Sequence, residues 1–140
     1  MSEKGLGVLF LAAGRRVELI QAFRTEALSR NMDLKIFVAD CKPEFAPASY
    51  FADHFFKSPL ASDSSYIDYI LDLCRKNNIQ LVIPTIDTDL LVLSESKSTF
   101  REYGINLLVS DQNLVGQSSD KRETEVLFNS LGINPKNIQT

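Results

Sequence analysis

The sequence predicts an α/β domain of three layers, with helices covering both faces of a five-stranded, mainly parallel sheet. Three observations predict it. Short apolar runs recur along the chain and are mostly continuous rather than alternating, as in strands buried on both faces. Amphipathic stretches at helical spacing separate most of these runs. Residues that cap or stop helices stand at the junctions, so local and global signals agree. Strands and helices that alternate through short links imply right-handed crossovers, and the expected strand order is 3-2-1-4-5. This is a Rossmann-like arrangement.

The first strand is the run Leu6 to Ala13, broken at Gly14, after which Ile20, Phe23 and Ala27 share one helical face. The second strand runs from Leu34 to Asp40. Between Cys41 and Ala52, Pro43, Phe45, Pro47, Tyr50 and Phe51 are too rich in proline and aromatics for a crossover helix, so a loop with one irregular turn is expected. His54 to Ser58 forms the third strand. Asp63 and Ser64 then cap a helix whose apolar face is Ile67, Ile70, Leu71 and Cys74. The fourth strand, Gln80 to Thr85, ends at Pro84, which cannot donate a ladder hydrogen bond. Asp87 caps a helix carrying Leu90, Leu93 and Phe100, and Gly104 stops it before the fifth strand, Ile105 to Ser110.

Beyond Ser110 the pattern changes. Asp111 to Val115 reads as a helical turn ended by Gly116. Asp120 and Glu123 stand at capping-box spacing, Thr124, Leu127, Phe128 and Leu131 make an apolar face, and Gly132 stops that helix. From Ile133 to Thr140 an extended tail is expected, more like the start of a further domain than a finished terminus. Residues 1–117 are thus assigned to the Rossmann-like domain and 118–140 to a helix and tail leading out of it.

A chain of 140 residues with 44% hydrophobic content suffices for one core. The formal net charge of -3 comes from interspersed acids and bases, which argues against nucleic acid or an anionic membrane surface as partner. No apolar run approaches the roughly 20 residues of a membrane span, and no export signal is recognisable, so a soluble chain is expected. Cys41 and Cys74 form no CxxC or Cys/His cluster, which points to free thiols in a reducing, cytoplasmic setting without a metal site.

The turn after the first strand is the leading candidate site. In open parallel sheets such a turn lies at the carboxyl edge, where a helix N-terminus offers N–H groups to an anion. A dinucleotide fingerprint would place glycines at Ala12, Gly14 and Val17, and only Gly14 is present. Arg15 and Arg16 supply forked donors for a carboxylate or phosphate, against the plainer role of pairing with surface acids. Glu18, in the first helical turn, suits the helix dipole and needs no further role. Asp40 stands where an acid would read a ribose, although an aspartate before a proline-rich loop is more often a turn former. Thr85, Asp87 and Asp89 leave the sheet on the same edge and are expected to face the arginines, with helix capping as the competing role for Asp87. His54, the one histidine, is taken as structural. No activated nucleophile and no phosphate-binding P-loop is present.

Four elements in order carry a resemblance: Ala13-Gly14-Arg15-Arg16-Val17-Glu18-Leu19, Ala39-Asp40, Ile83-Pro84-Thr85-Ile86-Asp87 and Ser119-Asp120-Lys121. With Tyr50-Phe51-Ala52-Asp53 and Val109-Ser110-Asp111 between them, the chain resembles the amino-terminal, pre-ATP-grasp domain of ATP-grasp ligases. It looks close to proteins similar to the large subunit of carbamoyl-phosphate synthase.

The resemblance implies a carboxylate–amine ligase in which ATP, with magnesium, phosphorylates a carboxylate that an amine or another nucleophile then attacks. The substrate-facing loops would be Gly14 to Glu18 and Thr85 to Asp89, taking a small carboxylate or phosphate-bearing substrate. Lys121 would approach the nucleotide phosphates as a point charge. The family continues with a G-I-P-x-P-like stretch and ATP-binding lobes, whereas this sequence reads Gly132-Ile133-Asn134-Pro135 and stops at Thr140. The expectation is a domain excerpt, a truncated frame or one piece of a split enzyme, inactive alone and needing no cofactor of its own. The lobes would come in cis or on a separate chain, and a homodimer stays open. Two other readings also stay open: a stand-alone nucleotide- or NAD(P)-binding module, motivated by Gly14 and Asp40, and a regulatory or assembly module whose arginines serve an interface.

Overall fold

The computed structural model describes residues 5–133, which fall into two compact units, one up to Val109 and one from Ser110 onward. The first unit holds the sheet. Its strands are β1 (Leu6–Leu11), β2 (Leu34–Asp40), β3 (His54–Lys57), β4 (Ile79–Pro84) and β5 (Asn106–Leu107). All ladders are parallel and the order is β3-β2-β1-β4-β5, as the alternation of strands and helices predicts.

The continuous apolar runs fill both faces of the sheet. Leu9 and Leu11 of β1 with Phe37 and Ala39 of β2 face one layer, where α2 (Tyr66–Lys76), α3 (Asp87–Glu95) and α4 (Lys97–Glu102) contribute Ile70, Leu93 and Phe100. Their neighbours Val8, Phe10, Ile36 and Val38 face the other layer, where α1 (Val17–Ser29) contributes Ile20 and the segment after β2 contributes Ala48. Strand periodicity of two therefore sorts one run of residues into two cores.

β1 and β4 pair with an irregularity at Gly7/Val8, where Gln80 is skipped in the register. The Gln80 side chain compensates by accepting the Gly7 N–H at 2.6 Å. A Cβ at Gly7 would lie 2.7 Å from the Asn78 carbonyl oxygen, so the close approach requires glycine.

Several expected boundaries shift for physical reasons. The segment after β2 makes two short 3₁₀ turns, Pro43–Phe45 and Pro47–Phe51, each opened by a proline. β3 is an edge strand bonded only to β2, so His54 and Phe55 are exposed rather than buried on both faces. The expected single helix through Phe100 breaks at Ser96, whose hydroxyl donates to the Val92 carbonyl at 3.0 Å while Ser94 donates to Leu91 at 2.7 Å. Such back-bonding bends helices. Residue 65 rather than 63 or 64 precedes α2, and Asp63 holds the turn by accepting from the Ser65 N–H and hydroxyl.

In the second unit α5 (Gln112–Ser119) runs through Gly116 rather than ending there, since one glycine costs a helix only about 1 kcal/mol. Asp120 caps α6 (Lys121–Ser130) by accepting the Arg122 N–H at 2.8 Å, and Gly132 follows its end at φ +72°. The expected tail beyond Ile133 lies outside the described residues.

Candidate functional site

β1 ends in a tight turn. Ala12 takes φ +51° and Gly14 φ +49°, with buried Ala13 between them. Left-handed backbone is ordinary for glycine and strained for alanine. The turn is held from two sides. The Ala48 N–H donates to the Gly14 carbonyl at 3.0 Å, and the Thr85 hydroxyl meets the Ala12 carbonyl at 2.7 Å and that of Leu11 at 3.1 Å. Thr85 therefore ties the end of β4 to the end of β1.

Arg16 sits at the N-cap of α1, whose first turn has no side-chain cap. Arg15, Arg16 and Glu18 are exposed, and among the described residues neither arginine pairs with an acid. A free helix N-terminus with two unpaired guanidinium groups is chemically suited to an anion. Asp87 is the first residue of α3 rather than its cap and is exposed. Asp40 forms the turn after β2 by accepting the Lys42 N–H at 2.9 Å. Lys121 opens α6 in the second unit and is exposed.

A cavity of about 410 Å³ opens at the carboxyl edge, lined by Ala12, Asp40, Leu60, Tyr66, Asp89 and Val92 among others. Asp40 and Asp89 are the expected candidates in its wall, Asp89 beside Thr88 of the Thr85 to Asp89 loop. Gly14, Arg15, Arg16, Glu18, Thr85 and Asp87 are not in it. The turn and the cavity thus share Ala12, while neither arginine lines the cavity.

Asp89 is 4% exposed, and the Tyr66 phenol donates to its Oδ2 at 3.2 Å while the Thr88 hydroxyl lies 3.4 Å from Oδ1. Burial raises the Asp89 carboxyl above the usual range, and the nearby charge of Asp40 adds to the effect. Burial beside this carboxyl pushes the Tyr66 phenol up as well. Asp89 lies two residues into α3, the position that turns inward, whereas Tyr66, Ile70 and Leu73 recur at helical spacing on the buried face of α2. That spacing was the available signal for Tyr66. For Asp89 the alternation Asp87-Thr88-Asp89 gave no sign of which acid is buried.

Cys41, half-buried, lines the same cavity, while the Cys74 thiol is buried and its pKa is pushed up to about 12. His54 stacks on Phe37 with ring centroids 5.5 Å apart. Among the described residues no group of three or more His, Cys, Asp or Glu side chains could hold a metal ion, and no helix is long and apolar enough to cross a membrane.

Comparison with solved structures extends the fold to larger proteins. The biotin carboxylase subunit of a pyruvate carboxylase superposes with a TM-score of 0.63 at 17% identity, covering 92% of this chain and 28% of that one. The biotin carboxylase domain of a thermophilic 2-oxoglutarate carboxylase bound to bicarbonate gives 0.62 at 14% identity, covering 90% of this chain and 28% of that one. The Hydrogenobacter thermophilus 2-oxoglutarate carboxylase biotin carboxylase domain dimer, in complex with MgADP, ADP and bicarbonate, gives 0.59 at 14% identity, covering 93% and 28%. The chain spans less than a third of the length of these proteins. No curated protein sequence matches it.

The family model for the PylC-like N-terminal domain matches residues 8–108, the stretch from β1 to just past β5. It agrees with the resemblance to amino-terminal, pre-ATP-grasp domains that the ordered motifs carry. With the greater part of its length matched by that model, the chain belongs to the family of PylC-like N-terminal domains.

Proposed function

We propose that this chain is the substrate-side N-terminal domain of an ATP-dependent, ATP-grasp carboxylate–amine ligase of carbamoyl-phosphate synthase-like type. The observation that carries the reading is the PylC-like N-terminal match over residues 8–108. The unpaired Arg15 and Arg16 at the uncapped start of α1 support it, because forked donors beside a helix N-terminus suit a small carboxylate. In this reading Gly14, Arg15, Arg16, Glu18, Thr85 and Asp87 form the substrate-facing turns. Thr85 acts by holding the Ala12 carbonyl and so the shape of the turn.

ATP and magnesium belong to lobes supplied in cis or on a separate chain, with residues 118–140 leading towards them. Asp40 and Lys121 are the nucleotide-side residues, Lys121 as a charge for the phosphates. A domain of similar fold, at 14% identity, was solved with MgADP, which supports ATP and magnesium as the ligands of the whole enzyme.

The test is carboxylate-dependent ADP release. The 140-residue chain alone should show none, and the protein carrying the lobes should show it. In that protein Arg15→Ala or Arg16→Ala should raise KM for the carboxylate about tenfold with kcat little changed, as expected for loss of a charge-assisted contact. ADP release by the isolated chain, tight binding of NAD(H) or NADP(H), or a coding sequence without such lobes nearby would overturn the reading.

A further inference from the structure

Of the two edges of the sheet, β3 is the longer, four residues against two in β5, and His54, Phe55 and Lys57 are exposed along it. Parity decides which of its backbone groups face outward. The Asp33 and Ala39 carbonyls accept from Leu6 and Ala12 on the β1 side, whereas those of Ile36 and Asp40 accept from Asp53 and Ser58 on the β3 side. Even-numbered residues of β2 therefore bond towards β3. With Ala39 paired to Phe56, the inward groups of β3 belong to His54 and Phe56, and Phe55 and Lys57 turn theirs outward.

Two groups near this edge are already satisfied. The Tyr69 hydroxyl donates to the Lys57 carbonyl at 2.8 Å, and the Asp53 N–H donates to the Ile36 carbonyl at 2.9 Å. Among the described residues the open groups are then the N–H and C=O of Phe55, the N–H of Lys57 and the C=O of Asp53. This set is its own complement about a two-fold axis through Phe55. Antiparallel pairing there makes Phe55 exchange two hydrogen bonds with Phe55 of a second copy, and each Lys57 N–H meets an Asp53 carbonyl. An axis through Phe56 would call on the Lys57 carbonyl, which Tyr69 holds, and one through His54 on the Asp53 N–H, which Ile36 holds. The side chains select the same axis. It sets Lys57 directly across from Asp53 of the other copy, twice, as opposite charges. Lys57 has no acidic partner among the described residues, and Asp53 meets Arg24 and the Ile36 N–H through Oδ2, leaving Oδ1 open. A lysine ordinarily protects an edge strand from pairing, and only this register offers it an acid. Phe55 is exposed beside Tyr50, with ring centroids 6.1 Å apart, and both rings gain cover when the edges meet.

We infer that two copies of this chain associate through β3, antiparallel and two-fold symmetric about Phe55, so that their sheets continue into one another. The contact is isologous, the same patch serving on both sides. A second copy is the occupant because the hydrogen-bond pattern and the charge pattern of this edge complement themselves in one register. The inference goes beyond the ligase reading, because the contact requires neither a carboxylate nor ATP-binding lobes and uses neither Arg15 nor Arg16.

The experiment combines sedimentation equilibrium of the full chain over a concentration series with amide hydrogen exchange read by NMR at low and high concentration. The chain should pass from monomer to dimer as concentration rises. The Phe55 and Lys57 amides should exchange more slowly in the dimer, while those of His54 and Phe56, already bonded to β2, should change little. Lys57→Glu, which sets acid against acid at both ends of the pairing, should weaken association at least about tenfold. Lys76→Glu, the same change of net charge at the end of α2, should leave it as it was. Phe55→Lys, which meets its own copy at the axis, should abolish it. Each variant is first checked for an unchanged thermal transition at low concentration, where the monomer prevails. A chain that stays monomeric up to about 1 mM, the range of a weak specific contact, would overturn the inference and leave the edge to another protein's strand. A dimer that forms without slowing the Phe55 and Lys57 amides, or that Lys57→Glu leaves intact, would place the contact on another surface and overturn it as well.

Discussion

Ala12 and Asp89 are two residues where the local rules and the observed structure disagree, and both lie at the carboxyl edge. Ala12 holds φ +51° at the place where a dinucleotide fingerprint has its first glycine. The left-handed conformation costs an alanine about 1–2 kcal/mol, against about 0.4–1 kcal/mol gained by restricting the unfolded chain relative to glycine. Ala12→Gly should therefore be neutral or stabilising by up to about 1.6 kcal/mol in urea denaturation, and Ala12→Val should lose about 2 kcal/mol or more. Asp89 makes a prediction with a definite sign. Its carboxyl is raised above the ordinary value of 3.8, so the folded state binds the proton more tightly than the unfolded chain. Its contribution is fully present below that ordinary value and is lost as pH rises through the raised one. Between pH 4 and pH 8 the stability of the wild-type chain relative to Asp89→Asn should fall with rising pH, and at neutral pH the variant should be at least as stable. A difference that grew in favour of the wild type over that range would contradict the raised carboxyl.

Among the elements, the pairing of β1 with β4 and the attachment of the segment after β2 each depend on a few named side chains. At the amino end of β1, Gly7 and Gln80 form a small unit in which one supplies room and the other an acceptor. Gly7→Ala should cost about 1–3 kcal/mol through overpacking against the Asn78 carbonyl, and Gln80→Ala about 1–2 kcal/mol by leaving the Gly7 N–H without its acceptor. Both losses would be measured as falls in the denaturation midpoint. The proline- and aromatic-rich segment is fastened by Arg24, which donates to the Phe51 carbonyl at 2.8 Å and pairs with Asp53 at 3.3 Å, while Asp53 accepts the Ile36 N–H at 2.7 Å. That clamp lets two 3₁₀ turns replace a crossover helix and keeps Ala48 against the Gly14 turn.

Strand order and helix placement follow from apolar periodicity, because burial on two faces leaves a pattern along the chain. Details decided across the chain leave none. The exposure of β3 depends on which strand ends the sheet, and the break at Ser96 on which carbonyl a hydroxyl finds. The site was legible in the same uneven way. The Gly14 turn and Asp40 show in the sequence as punctuation after strands. Tyr66 and Asp89 meet across 23 positions of sequence, a distance closed because α2 and α3 cover the same face of the sheet.

At the scale of the whole molecule, both hydrophobic clusters lie entirely within the first unit, their last member being Val109. Among the described residues the second unit contributes one buried hydrophobic residue, Val115, and α6 contributes none. A segment of that size cannot sustain a core of its own. A chain ended after Val109 should retain a cooperative thermal transition and the far-ultraviolet signature of the sheet and its helices. Residues from Ser110 onward, expressed alone, should show no cooperative transition. Loss of the transition in the shorter chain would show that the two clusters do not suffice.

The Tyr66–Asp89 contact also has an optical consequence. The chain has four tyrosines and no tryptophan, so its near-ultraviolet absorbance is dominated by phenol rings. Tyr66 resists ionisation because burial beside a carboxyl disfavours phenolate. In an alkaline titration followed at the phenolate band, the native chain should show an incomplete step, and the missing fraction should appear only when the fold gives way. Tyr66, the more deeply buried of the two phenols that burial pushes up, would then report with Tyr69, without any label, the moment at which the cavity wall comes apart.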